Sequence, residues 1–262
     1  MNLQINDSLA LVSASTKGIG FAIARALAAE GARVIVNGRT AGSVDEAVAR
    51  ISSEVKDAKL EKFPGDLAQA DIAEKLAAAF PAVDILVNNL GIFDPKPFRD
   101  IADAEWRRFF EVNVLSGVRL SRQYFDGMLQ RNRGRIVFIS SESALHIPEE
   151  MIHYGMTKTA QLAVARGLAE LTAGTAVTVN SVLPGPTRSE GVEEFVQKLS
   201  GGQPFAAFEQ EFFRKMRPTS LLKRFETVDE IAHVVAFVCS PLAAGMNGSA
   251  IRVEGGLVKS IA

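Results

Sequence analysis

Tyr154 and Lys158 stand four residues apart in Tyr154-Gly155-Met156-Thr157-Lys158, at the start of a helical pattern, so both side chains share one face. A free tyrosine titrates near ~10 and is a poor base at neutral pH. A neighbouring ammonium favours the phenolate, and that would make Tyr154 a proton donor or acceptor for a reacting oxygen. The chain has 2 tyrosines, and the other, Tyr124, has no such lysine. Ser141 lies thirteen residues upstream in Ile139-Ser140-Ser141, at the carboxyl end of a strand-like run. Its hydroxyl is placed to hydrogen-bond a carbonyl oxygen and stabilise charge developing there.

A second chemical feature opens the chain. Ser13-Ala14-Ser15-Thr16-Lys17-Gly18-Ile19-Gly20 follows the first apolar run and leads directly into a helix. Gly18 and Gly20 allow close approach of a pyrophosphate, and the helix N-terminus supplies N–H groups and a favourable dipole. The next strand ends in Asn37-Gly38-Arg39 without a carboxylate for ribose hydroxyls. Arg39 and Lys17 would instead pair with a 2′-phosphate, so NADP(H) is expected over NAD(H).

These residues need a parallel α/β scaffold, and the pattern supplies one. Apolar runs at 9–13, 33–37, 60–64, 85–88, 135–139, 176–182 and 250–253 alternate with helical patterns. That predicts a doubly wound parallel sheet (a Rossmann fold) covered on both faces, in a single domain spanning 1–262. One long helical region is expected from Glu105 to Leu129. The regularity breaks between Pro184 and Pro218, where Gly201-Gly202 and five phenylalanines (Phe195, Phe205, Phe208, Phe212, Phe213) mark an insertion. Its core, 186–217, suits a substrate lid.

The chain has 262 residues, 47% hydrophobic and 23% charged, with a formal net charge of -1. That balance supports a sizeable core and offers no field for nucleic acid or an anionic membrane. The single cysteine, Cys239, forms no internal disulfide and lies in an apolar helical run, which suggests a reducing compartment. With no apolar stretch of spanning length, a cytoplasmic protein is expected, and no metal site.

Taken together, these motifs resemble the short-chain dehydrogenase/reductase family over essentially the whole chain. The resemblance includes Gly18-Ile19-Gly20, Asp66-Leu67, Asn88-Asn89-Leu90-Gly91, Asn113, Ser141, Tyr154, Lys158, Asn180 to Gly185, and Val253-Glu254-Gly255-Gly256. It implies that Asp66 and Leu67 meet the adenine, that Asn88, Asn89, Leu90 and Gly91 line the adenosine ribose, and that Pro184, Gly185, Thr187 and Ser189 hold the nicotinamide end. Lys158 would bind the nicotinamide ribose, and Asn113 would hold a water relaying protons from Lys158. A homotetramer or homodimer acting on a small carbonyl or alcohol is implied too. Three positions depart from the family's pattern: Ala14 replaces a glycine, Leu90 an alanine and Ser189 a threonine. Ala14 in a left-handed conformation would cost roughly 1–2 kcal/mol, so a right-handed turn is expected there.

Ile92, Phe93, Phe98, Ile147 and the lid phenylalanines are candidates for the substrate wall, with His146 and His153 as polar contacts. A 3-oxoacyl-carrier-protein reductase is the second reading, with Arg131, Arg133 and Arg135 offered to an acidic carrier. A dinucleotide-binding regulator without turnover is the alternative of another class.

Overall fold

The computed structural model describes residues 2–199 and 204–261, without the side chains of 194, 195 and 197–199. Gly201-Gly202 and the Phe195 ring therefore lie outside the described residues.

Seven strands form one sheet: β1 (Leu9–Val12), β2 (Arg33–Gly38), β3 (Lys59–Pro64), β4 (Ile85–Asn88), β5 (Gly134–Ile139), β6 (Val177–Pro184) and β9 (Ala250–Val253). Their order is β3-β2-β1-β4-β5-β6-β9, and each pairing is parallel. β1 and β4 are buried on both faces, which explains why their sequences read as continuous apolar runs rather than alternating ones. Along β1 the pleat still divides the residues between two layers. Ala10 and Val12 pack with Ile23, Leu27, Ile231 and Val235 on one face. Leu9 and Leu11 pack with Leu76, Leu120 and Phe138 on the other. The first layer is covered by α1 (Gly18–Ala29), α2 (Ala41–Glu54) and α9 (Val228–Val238). The second is covered by α3 (Ala70–Ala79), α5 (Ser116–Gln130) and α6 (Ile152–Glu170).

The chain order reverses between β1 and β4, so a crevice opens beyond the carboxyl ends of these strands. The segments that leave those ends are the glycine turn after β1 and the Asn88–Gly91 turn after β4.

The expected long helix is present but not uniform. It consists of α4 (Asp103–Phe110), a π-helical turn over Glu111–Leu115, and α5. The wider turn carries Asn113, which is 1% exposed. Such bulges break the 3.6-residue register and re-aim a side chain, a change that apolar spacing does not report.

The insertion folds as a short parallel pair, β7 (Thr187–Arg188) with β8 (Glu226–Thr227), and two helices, α7 (Glu190–Leu199) and α8 (Phe205–Lys215). Phe208 and Phe212 stack on each other, and both stack on Phe225. Phe213 is buried at 2% exposure. That aromatic cluster gives the lid a small core of its own. Among the described residues, no helix is long and apolar enough to cross a membrane.

Candidate active site

The glycine turn is held by side chains from three strands. Ser13 Oγ accepts the N–H of Asn89 at 2.9 Å and of Leu90 at 3.0 Å, tying β1 to the turn after β4. Ser15 Oγ accepts from Asn37 N at 2.9 Å, and Asn37 Oδ1 accepts from Ala14 N at 3.0 Å. Ser13 and Ser15 are buried, so their hydroxyls build the turn instead of facing the crevice. Gly20 is required by space: a Cβ there would lie 2.4 Å from both Ala14 O and Asn89 Nδ2.

Ala14 has φ +53, so the expected right-handed turn is not what forms. The alanine carries the left-handed penalty, because Asn37 and Asn89 hold its N–H and C=O on either side. Ala14→Gly is therefore expected to raise stability by about 1 kcal/mol, or a few degrees in the thermal midpoint. An unchanged or lower midpoint in a melting scan would contradict that.

The residue before α1, Lys17, caps the helix with no side-chain bond of its own. Gly18 (φ +57) donates its N–H to Glu190 Oε2 at 2.8 Å, from the first residue of α7. An anion thus already stands at this helix end. The same N–H would serve a dinucleotide phosphate, and two negative groups cannot share it, so a bound phosphate requires Glu190 to leave.

Lys17 and Arg39 are exposed after the neighbouring strands β1 and β2, and neither side chain makes a hydrogen bond or ion pair with the described residues. Both charges are free for an incoming phosphate. Thr16 packs under this edge: a Cβ on Gly38 would lie 2.4 Å from its methyl group. Asp66 Oδ1 accepts from Ala68 N at 3.1 Å. Leu67 is 1% exposed within the second core layer, so it supports the turn and has no free face for an adenine. Asn88 is likewise inward, donating to Ser121 Oγ at 3.2 Å. Leu90 turns its bulk onto the second core layer, whereas Asn89, Gly91 and Ile19 face the crevice.

Ser141, Tyr154 and Lys158 line one cavity of about 410 Å³ at this edge, with Pro184, Gly185, Thr187 and Ser189 across from them. Burial pushes the Tyr154 phenol well above its ordinary value, and the Glu142 carboxylate adds to the rise; the Ser141 hydroxyl opposes both. The expected lowering by Lys158 does not operate here. Lys158 Nζ lies 5.5 Å from the ring centroid of Tyr154 and donates to Ile139 O at 2.9 Å and Gln161 Oε1 at 3.3 Å. Burial draws the lysine itself down to about 7.

Asn113 is fixed by its own side chain and carbonyl. Its side chain clamps Ile92, accepting from the N–H at 2.8 Å and donating to the C=O at 3.0 Å. Its own carbonyl accepts from Gln161 Nε2 at 2.5 Å. Gln161 therefore joins Asn113 to Lys158 directly. The sequence contained a signal for it: Gln161 lies three residues beyond Lys158, a polar side chain on the buried face of α6. Gln161→Leu is expected to lower kcat roughly tenfold, the scale of one hydrogen bond to a charged group. Gln161→Glu should raise the Lys158 pKa and move the alkaline limb of the pH–rate profile, where that lysine loses its charge, upward. A profile unmoved by either change would remove Gln161 from the site.

Of the expected substrate wall, Ile92, Phe93, Phe208 and Phe212 line the cavity. Phe98 is 64% exposed and packs edge-on against Trp106, while Ile147 and His146 point to solvent. His153 is fully buried against Trp106 and Phe109. These four stay outside the cavity, because residues at successive positions of a turn and a helix start diverge around the axis.

An ionic group that the motifs did not indicate borders the same space. Arg217, from the end of the lid, places Nε 3.4 Å from Glu142 Oε1 and Nη1 3.1 Å from Glu150 Oε1. Each comes from a different segment, so sequence spacing held no trace of the array.

The chain is similar to known oxidoreductases over its whole length. Residues 13–258 match the family described as enoyl-(acyl carrier protein) reductase. The chain is 48% identical to the uncharacterized oxidoreductase YvaG of Bacillus subtilis, over 100% of both chains. It is 30% identical to the 3-oxoacyl-[acyl-carrier-protein] reductase FabG of Aquifex aeolicus, covering 98% of this chain and 100% of that one. The L-sorbose reductase of Gluconobacter frateurii, solved with NADPH and L-sorbose, superposes with a TM-score of 0.92 at 27% identity, over 100% of both chains.

Proposed function

The chain belongs to the short-chain dehydrogenase/reductase family and is an oxidoreductase of that family; from that premise we propose that it interconverts a carbonyl and a secondary alcohol with NADP(H). The observation that carries this reading is the convergence of Ser141, Tyr154 and Lys158 on one cavity beside the N-terminus of α1. The residues fit a dinucleotide: an anion already sits on Gly18 N–H, and Gly20 and Gly91 keep the approach narrow and open. When bound, the cofactor supplies or accepts the hydride.

The chain's own groups supply the rest. Ser141 turns its hydroxyl to the substrate oxygen and stabilises the charge that grows there. Tyr154 carries its proton at neutral pH, as its raised pKa requires, and donates it to that oxygen during reduction. Lys158, held by Ile139 and Gln161, sets the charge behind Tyr154 and would hold the ribose of a bound cofactor. Lys17 and Arg39 would hold the 2′-phosphate of NADP(H). The lid rings Phe208 and Phe212 exclude water from the reacting carbonyl.

The carrier-linked reading loses its docking site. Arg131 donates to Val83 O, Arg133 to Ser8 Oγ, and Arg135 to Gly134 O and Ala176 O. All three lie at the amino ends of β4 and β5, on the opposite edge of the sheet from the cavity. A regulator without turnover would leave the convergence of Ser141, Tyr154 and Lys158 without purpose. The test is NADPH oxidation with a panel of ketones and aldehydes. NADPH binding without turnover of any of them would establish the regulator instead.

A further inference from the structure

Ser141 has one hydroxyl proton, and Glu142 takes it: Ser141 Oγ donates to Glu142 Oε2 at 2.5 Å. Reduction needs that proton on the substrate's carbonyl oxygen. When Ser141 turns to the carbonyl, Glu142 Oε2 loses its donor. No other donor is bonded to that oxygen among the described residues. Arg217 Nε faces the other carboxylate oxygen at 3.4 Å, and Nη1 is committed to Glu150 and to Met216 O. The Glu142 side chain is 6% exposed and that of Arg217 is 5% exposed, so bulk water does not replace the lost bond. A buried carboxylate oxygen stripped of its donor is costly.

A substrate with its own O–H beside the carbonyl removes that cost. Ser141 and Glu142 are adjacent and both line the cavity. A carbonyl oxygen facing Ser141 and Tyr154 leaves a hydroxyl on the next carbon within reach of Glu142. Charge narrows the class further. Two carboxylates, Glu142 and Glu150, face one guanidinium, Arg217, so this end of the cavity is net negative and opposes a free oxo-acid. We propose that the substrate is an uncharged hydroxyketone, with its hydroxyl on the carbon beside the reacting carbonyl, and that Glu142 is the residue that selects it. The proposal rests on the reductase reading above. The hydride goes to the carbonyl carbon, the Tyr154 proton goes to its oxygen, and the neighbouring hydroxyl emerges unchanged in a vicinal diol.

The experiment compares kcat/KM for matched probes with NADPH: 3-hydroxy-2-butanone against 2-butanone, 2-hydroxycyclohexanone against cyclohexanone, and 2-oxobutanoate as the charged analogue. Wild type is expected to prefer each hydroxyketone at least tenfold over its parent ketone and to use 2-oxobutanoate worst. In Glu142→Leu the ratio should fall towards one. In Glu142→Gln, which keeps an acceptor oxygen, it should be intermediate. General damage to the fold lowers both members of a pair and leaves their ratio alone, so an unchanged ratio in Glu142→Leu overturns the proposal. A wild-type enzyme that reduces ketones without preferring the hydroxyketone, or that prefers 2-oxobutanoate, overturns it as well while leaving the reductase reading intact. Turnover of no carbonyl compound at all sinks both.

Discussion

Tyr154→Phe is expected to lower kcat by about 10²–10⁴-fold while leaving NADPH affinity within a few-fold of wild type. The change removes one oxygen and keeps the ring, whose edge meets Phe93 at a centroid distance of 6.5 Å. Stability should change little. The size of the loss follows from what surrounds the phenol. Burial and Glu142 hold the proton on its oxygen far above neutral pH, so it is available to the substrate oxygen during reduction. Single-turnover measurement of NADPH oxidation with a saturating ketone separates chemistry from binding. A Tyr154→Phe variant retaining a tenth or more of the wild-type rate would mean that another group transfers the proton, and the assignment of Tyr154 would fail.

Arg39→Ala should reduce kcat/KM for NADPH by about 10- to 100-fold, the scale of a charge-assisted hydrogen bond to phosphate, with little effect on NADH. Two features make the effect selective. Arg39 has no other partner among the described residues, so its removal strands no carboxylate. Asn37, near the position where an acidic residue would bind ribose hydroxyls, is buried and committed to Ala14, Phe63 and Gly65. Lys17→Ala should add a smaller loss, because a lysine meets phosphate as a point charge and an arginine as a planar fork. Both residues are exposed, so added salt should raise KM for NADPH and leave that for NADH nearly constant. A wild type that prefers NADH, or a preference unmoved by Arg39→Ala, would reverse the cofactor assignment.

Much of the molecule could be read from its residues in order. Seven apolar runs separated by helical patterns specify a covered parallel sheet, since strands buried on both faces read alike wherever they occur. Glycine-rich turns and the Tyr154–Lys158 pair are also local, because helix periodicity alone puts those two on one face. Their neighbours were not local. Ala14 is left-handed because Asn37 and Asn89 grip its peptide groups from two other segments, and nothing in the turn itself announces that. Asn113 faces inward through a π-helical turn, and Gln161 reaches its carbonyl only after α6 packs against that turn.

Tyr154 shows the division best. Its type and spacing made it the proton-transfer candidate. The direction of its pKa came from burial and from Glu142, whereas the lysine four residues away turned to Ile139 and Gln161. Chemical identity and short-range periodicity belong to the sequence, because they act within a turn or two of chain. Charge environment, hydrogen-bond partners and the Glu142–Arg217–Glu150 array belong to the tertiary structure, because each joins segments that only the folded sheet and lid bring together.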